Sequence, residues 1–282
     1  VAVQDPAYPA NVDGSVMIGA TGAYNSDTEE FDDIEYMRCT AENDFFPDLS
    51  KVKRTDLIYF CSPNNPTGAV ATKEQLKELV DFAKKNNSII IFDAAYSEFI
   101  KEKNLPRSIF EIEGARECAI EVSSLSKSAG FTGVRRGWTI VPQELKFDGG
   151  ESVGKDWQRV MGTLFNGSSN IAQHGAIAAL SDIGLSEIKE KVNYYMENAK
   201  IIKDGLEELG IKTFGGINSP YIWAAFPAKK SWDVFEDILT KAHVVTTPGA
   251  GFGKAGEGFI RFSAFGKTSE IKEAVKRLQK NL

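Results

Sequence analysis

An α/β fold is what this sequence predicts: a large domain with a mostly parallel central sheet flanked by helices, followed by a smaller C-terminal α/β domain. Three observations carry that expectation. Short apolar runs recur at Leu57–Cys61, Ile89–Phe92 and Cys118–Val122, each reading as a buried strand, with Ile89–Phe92 reading as one buried on both faces. Amphipathic helical segments stand between them. Candidate functional residues that follow these runs are spaced by 28 positions (Asn65 to Asp93) and 34 positions (Asp93 to Lys127), and each interval fits one β-α-β step. The three loops should therefore open on one edge of one sheet.

Taken in order, the chain begins inside a strand leading to Tyr8, and another strand runs from Leu57 into a loop stiffened by Pro63 and Pro66. The segment Thr72–Lys85 reads as a helix, with Thr72 and Gln75 as a capping box and Leu76, Leu79, Val80 and Ala83 as its inner stripe. Alternation of strands and helices continues to about Leu180. A long helix then carries Ile188, Val192, Tyr195, Ala199, Ile202, Leu206 and Leu209 in steps of four and three, one continuous apolar seam ended by Gly210. Beyond it come a strand at Tyr221–Phe226, a helix from Ser231, a tight Gly-rich turn at Pro248–Gly253, a strand at Phe259–Ser263 and a last helix with Ile271, Ala274, Val275 and Leu278 inward. The expected division is 1–183 for the large domain and 184–282 for the interdomain helix and small domain. No internal repeats or low-complexity segments interrupt it.

Composition narrows the function classes. With 33 basic and 39 acidic residues the net charge is −6, which argues against nucleic-acid binding. No run of eighteen apolar residues points to a membrane span. The three cysteines, Cys39, Cys61 and Cys118, read as reduced and buried, and two histidines without paired cysteines give no metal site. The expected setting is cytoplasmic.

Chemistry gathers at the strand ends. Lys127 follows an apolar strand, is flanked by Ser124 and Ser126, and has Arg135 eight residues on. A loop leaving a buried strand beside an arginine is where a lysine pKa falls and the amine becomes a nucleophile. The two hydroxyls and the guanidinium fork match the oxygens of a phosphate. A lysine with a phosphate cradle is what a pyridoxal-phosphate enzyme needs. Asp93, at the carboxyl end of its strand, can pair with a pyridinium nitrogen, and Tyr96 three residues later can donate to a phenolic oxygen. Asn64 and Asn65 present amides from the rigid Ser62–Gly68 loop. Each piece has a plainer explanation when taken alone: a solvated lysine, a helix-capping aspartate, a Pro/Asn turn. Their conjunction favours the cofactor site.

These motifs, Ser-Pro-Asn-Asn-Pro-Thr-Gly at 62–68, Asp93-x-x-Tyr96 and Ser124-x-Ser-Lys127 with Arg135 downstream, resemble those of class I/II, fold-type-I aminotransferases. QDPAYPA (4–10), EYMRCTAENDFFPDLS (35–50), GFTGVRRGW (130–138), FNGSSNIAQ (165–173), SWDVF (231–235) and HVVTTPGAGFG (243–253) narrow the resemblance to the LL-diaminopimelate aminotransferase family, over nearly the whole chain. The resemblance implies pyridoxal 5′-phosphate as cofactor, amino-acid and 2-oxo-acid substrates, amino transfer from LL-diaminopimelate to 2-oxoglutarate in lysine biosynthesis, and a homodimer with shared active sites. It implies that Lys127 bonds the cofactor and moves the substrate proton, that Asp93 holds the pyridine nitrogen, and that Tyr96 and Asn65 hold the phenolic oxygen. Tyr8 would stack on the ring, and Ser124, Ser126 and Arg135 would hold the phosphate. Arg261 would clamp the α-carboxylate, for which an ordinary strand-end arginine is the alternative, and Asn166 would reach a neighbouring subunit's site.

Asn11, Leu125 and Arg136 depart from the family pattern. The resemblance also implies an N-terminal portion ahead of Val1, and a chain without it is expected to hold the cofactor more weakly. Two alternatives stand beside the main expectation: a related lysine- or aromatic-type aminotransferase, or a shortened, inactive homologue acting as an interaction subunit. In a plant or alga the setting would be the plastid stroma.

Overall fold

The computed structural model describes residues 1–282. Strand β1 (Ala2–Asp5) is buried along its whole length and runs into helix α1 (Ala10–Met17). A small hairpin, β2 (Tyr24–Asn25) and β3 (Glu30–Phe31), precedes β4 (Glu35–Arg38), which lies parallel to β1. The three expected strands follow as β5 (Leu57–Cys61), β6 (Ile89–Asp93) and β7 (Ala119–Ser124). They are parallel neighbours, with Cys61 opposite Asp93 and Asp93 opposite Val122. Strand β8 (Gly137–Ile140) closes the edge antiparallel to β7, so the sheet order is β4-β1-β5-β6-β7-β8. Because β5, β6 and β7 point the same way, their carboxyl ends, and the loops that leave them, share one edge as expected, although the connection from β6 to β7 carries three short 3-10 turns (Ser97–Phe99, Ile109–Glu111 and Ala115–Glu117) in place of the expected α-helix.

Helix α2 (Lys73–Asn86) forms as its sequence dictates. The Gln75 N–H donates to the Thr72 hydroxyl at 3.2 Å while the Gln75 side chain accepts from the Thr72 N–H at 2.9 Å. Its stripe of Leu76, Leu79, Val80 and Ala83 is fully buried against Ile58, Phe60, Ile90 and Phe92 of the sheet. Lys127 lies on a short helix, α3 (Leu125–Ser128), rather than in the open loop expected. The Ser124 side chain caps that helix by accepting the Ser126 N–H, a signal that the Ser-rich stretch concealed.

After α4 (Val153–Leu164) and α5 (Asn170–Ala179), the long helix α6 (Asp182–Glu207) buries Ile188, Val192, Ala199, Ile202 and Leu206 as expected. Tyr195 is partly buried, and Leu209 lies just past the last helical turn, with Gly210 left-handed at φ 76°. Four antiparallel strands pack beneath it: β9 (Thr213–Gly215), β10 (Tyr221–Ala225), β11 (Thr247–Pro248) and β12 (Phe259–Ser263), in the order β11-β12-β10-β9. Helix α7 (Ser231–Asp237) lies between β10 and β11, and α8 (Thr268–Asn281) ends the chain. Val275 and Leu278 of α8 are buried; Ile271 packs at the margin. Gly205 explains how closely α6 and α8 approach, since a Cβ there would meet a Val275 methyl at 2.3 Å.

Two large apolar cores result, one under the large sheet and one between α6, α8 and the small sheet, with a third, small cluster of Ile120, Leu145 and Val153. The three cysteines are free and buried. No helix is long and apolar enough to cross a membrane.

Candidate active site

The edge where β5, β6 and β7 end meets the small sheet at a close backbone contact. Gly68 is left-handed at φ 72°, and a Cβ there would meet Gly215 Cα at 2.8 Å and the Tyr221 carbonyl at 2.9 Å. Only glycine lets the Ser62–Gly68 loop lie this tightly on β9 and β10. The loop is pinned from within, since the Asn64 amide donates to the Pro6 carbonyl at 3.2 Å and the Thr67 hydroxyl at 3.0 Å. Asn65 is thereby buried beside β12.

Arg261 of β12 reaches across to it. One guanidinium nitrogen donates to Asn65 Oδ1 at 2.6 Å and another to the Thr247 hydroxyl at 3.3 Å. The guanidinium carbon lies 4.6 Å from the Tyr221 ring centroid and 4.7 Å from that of Phe252. Such placement is favourable for a cation over a π-face. Burial lowers the Arg261 proton affinity, against the pull of the Tyr221, Tyr96 and Tyr8 phenols, and no carboxylate is among its electrostatic neighbours. Its Nε is buried without a hydrogen-bond partner. A largely buried guanidinium lacking a counter-ion is costly in isolation and suited to receiving an anion.

At the end of β6, Asp93 Oδ1 accepts the Ala95 N–H at 2.9 Å. That bond is the loop-capping role its position allowed. Burial pushes the carboxyl above its ordinary range, opposed by the Ala95 amide, the Cys61 thiol and the charge of Lys127. Tyr96 is 4 % exposed, and its hydroxyl lies 2.7 Å from that of Tyr221, itself 4 % exposed. Lys127 lies with its ammonium 5.7 Å from the Phe265 ring centroid. Its pKa is lowered by burial first, then by the positive charges of Arg261 and Arg135, with Asp93 opposing. Lys127, Asp93 and Arg261 therefore share one electrostatic neighbourhood.

The other candidates differ in how firmly they are held. Ser124 and Ser126 stand at the start of α3, both partly exposed. Arg135 is exposed, left-handed at φ 67°, and donates to the Thr132 carbonyl at 3.0 Å. Its neighbour Arg136 donates instead to the Ser168 hydroxyl at 2.9 Å, and Leu125 is buried beneath α3. Tyr8 is 49 % exposed and lines a cavity of about 160 Å³ with Phe252 and Gly253. Asp5, which ends β1, accepts the Ala255 N–H at 3.1 Å, fixing the turn after β11 against the large sheet. Asn166 stands apart in an exposed turn between α4 and α5, left-handed at φ 60°. A wider groove of about 640 Å³ beside α8 includes Arg261 and Thr247 but none of Lys127, Asp93 or Asn65.

Sequence reasoning missed Tyr221, Thr247, Phe252 and Phe265. Tyr221 opens a strand of apolar residues and reads as core; its only distinguishing mark is a hydroxyl in a place that otherwise excludes polar groups.

The model of the family described as aminotransferase class I and II matches residues 29–278. The chloroplastic LL-diaminopimelate aminotransferase of Arabidopsis thaliana is 57 % identical over 279 residues, covering 99 % of this chain and 60 % of the relative. The LL-diaminopimelate aminotransferase of Protochlamydia amoebophila is 56 % identical, covering 99 % of this chain and 68 % of the relative. Among solved structures, L,L-diaminopimelate aminotransferase from Chlamydomonas reinhardtii superposes with a TM-score of 0.96 at 57 % identity, covering 99 % of this chain and 68 % of that one. The chain thus spans between 60 % and 68 % of the length of these relatives.

Proposed function

Because this chain belongs to the class I and II aminotransferase family, and within it to the LL-diaminopimelate aminotransferases, we propose that it transfers an amino group from LL-diaminopimelate to 2-oxoglutarate with pyridoxal 5′-phosphate as cofactor. The observation that carries the proposal is the convergence of a lysine of lowered pKa, a buried carboxylate and an arginine without a counter-ion at one sheet edge.

The residues present fit the cofactor. Asp93 supplies a carboxylate for the pyridine nitrogen, Tyr96 and Asn65 supply donors for the phenolic oxygen, and Tyr8 supplies an aromatic face. Ser124, Ser126 and Arg135 supply the hydroxyls and charge for the phosphate. When bound, pyridoxal phosphate supplies an electron sink for the charge that develops at the substrate Cα. Lys127 anchors the cofactor and, as a neutral amine favoured by its surroundings, takes and returns the Cα proton. Asp93 would face the pyridine nitrogen, and its negative charge would favour the protonated form of that nitrogen. Arg261 fixes the α-carboxylate so that the Cα–H bond is presented to Lys127. The flanking Tyr221 and Phe252 rings exclude water from that ion pair, which strengthens it.

A homodimer is the proposed assembly, with Asn166 contributing to the partner's site. Its support is the apolar surface that α4 and α5 leave exposed, including Leu164, Phe165, Ile171 and Ile177. The proposed compartment is the cytoplasm or, in a plant or alga, the plastid stroma.

The test is an absorbance scan of the chain titrated with pyridoxal phosphate, followed by turnover of LL-diaminopimelate and of lysine with 2-oxoglutarate. A saturable visible band and faster turnover of LL-diaminopimelate are expected. Faster turnover of lysine would reassign the substrate, and no band at any concentration would overturn the enzymatic proposal.

A further inference from the structure

Tyr221 touches both halves of the site. Its hydroxyl lies 2.7 Å from the Tyr96 hydroxyl, and its ring lies under the Arg261 guanidinium, 4.6 Å from centroid to carbon. It is 4 % exposed, so no bulk water competes for either contact. The two rings meet edge-on, with centroids 5.2 Å apart and an interplanar angle of 68°, which fixes the phenol of each relative to the other. The position is set by backbone as well: the Tyr221 carbonyl abuts Gly68, and the Tyr221 N–H donates to the Ser219 hydroxyl at 3.2 Å.

We infer that Tyr221 is a positioning residue that couples the cofactor half of the site to the carboxylate half, its hydroxyl aligning Tyr96 and its ring seating Arg261. The inference rests on the proposed aminotransferase function and assigns a role to a residue of this chain outside that proposal's own set of cofactor and carboxylate contacts.

The proton count gives the hydroxyl its direction. Two phenols share two protons. If Tyr96 donates outward to the cofactor's phenolic oxygen, the proton between the two hydroxyls must come from Tyr221. Accepting that bond polarises the Tyr96 hydroxyl and makes it the stronger donor, since hydrogen bonds in a chain reinforce one another. The ring does separate work. Arg261 has hydrogen bonds to Asn65 and Thr247 but no carboxylate, so its orientation before substrate arrives depends on those two bonds and on the Tyr221 and Phe252 faces. One residue thus holds the donor on the β6 side and the clamp on the β12 side.

Two substitutions separate these contributions. Tyr221→Phe keeps the ring and removes the hydroxyl; Tyr221→Leu removes both. With Tyr221→Phe, Tyr96 becomes a weaker donor and the cofactor's phenolic oxygen keeps more negative charge. The neighbouring nitrogen then holds its proton to higher pH, so the pH midpoint of the bound cofactor's visible band should rise by on the order of half a unit. For the same variant kcat should fall, with KM for 2-oxoglutarate unchanged.

Tyr221→Leu should in addition weaken 2-oxoglutarate binding to the cofactor-free chain, read by calorimetry, by on the order of tenfold. A Phe variant with an unmoved midpoint, or a Leu variant that binds 2-oxoglutarate as the parent does, would overturn the coupling role. If the parent chain gives no visible band yet binds 2-oxoglutarate, the enzymatic proposal fails and the hydroxyl role with it, while the Leu variant still decides the ring role. If the parent chain fails to bind 2-oxoglutarate, the inference is overturned whatever the cofactor does. Tyr221→Phe preserves the core volume, so it remains decisive should the Leu variant not fold.

Discussion

In the six-stranded sheet, Asp93 and Lys127 lie at or just past the carboxyl ends of strands, beyond the last core residue of each; in the four-stranded sheet, Tyr221 and Arg261 lie within strands, among the residues that form the core. Strand β6 buries Ile90 and Phe92 against α2 and then ends on the carboxylate. Strand β12 alternates as β6 does, but its functional residue lies mid-strand: Ile260 and Phe262 are core, and Arg261 between them points the other way, towards Asn65. A parallel sheet separates stability from chemistry along the chain. A short antiparallel sheet sets its functional residue between two core residues, and the two should respond differently to substitution.

The largest expected effect falls on the parallel edge. Asp93→Asn should raise the barrier to amino transfer by on the order of several kcal/mol, the scale of a strong electrostatic contribution, measured as kcat/KM. The same change should not destabilise the cofactor-free fold. Burial raises the Asp93 pKa above its unfolded value, so the folded chain binds that proton more tightly and loses stability as pH rises through the folded pKa. At neutral pH the neutral Asn escapes that loss and still offers an oxygen to the Ala95 N–H. The melting temperature of the cofactor-free variant should therefore match or exceed the parent's at pH 7, and the difference should vanish in acid. A fall at pH 7 would erase the contrast between the sheets.

Arg261→Lys should act on both properties. Lysine cannot hold two carboxylate oxygens, Asn65 and Thr247 in one plane, so every α-amino-acid substrate should bind about 1–3 kcal/mol more weakly, irrespective of side chain. Loss of the bonds to Asn65 and Thr247 should also lower the melting temperature. An effect confined to one substrate would mean that Arg261 recognises a side chain.

The smallest effect belongs to a position with no part in the chemistry. Thr72→Ala removes the α2 cap and should cost about 1 kcal/mol in urea unfolding, with kcat and KM unchanged. A change in turnover would show that the β5-to-α2 connection transmits strain to the Ser62–Gly68 loop.

The same contrast governs what could be read from the sequence. Strands β5, β6 and β7 and helix α2 were legible because continuous apolar runs and a capping box are local signals, and the candidate site residues stood out beside them. Arg261 was reached only through family resemblance, since an arginine in Phe-Ile-Arg-Phe-Ser has no local signature of its partners at Asn65 and Thr247. Tyr221 was not reached at all: its meaning depends on Tyr96, 125 positions away. Strands β4, β8 and β9 were missed because three or four residues leave too short a pattern, and β8 is mostly solvent-facing. The short helix at Lys127 was hidden for a similar reason, its cap being one serine among several.

In the proposed function Lys127 is the amine that takes the cofactor. Its lowered pKa should make it react where ordinary lysines remain protonated. Incubation of the chain with pyridoxal phosphate at pH 8, reduction with borohydride and peptide mapping should place one stoichiometric tag on Lys127. A tag on another lysine, or tags scattered over the surface lysines with Lys127 unmodified, would contradict it.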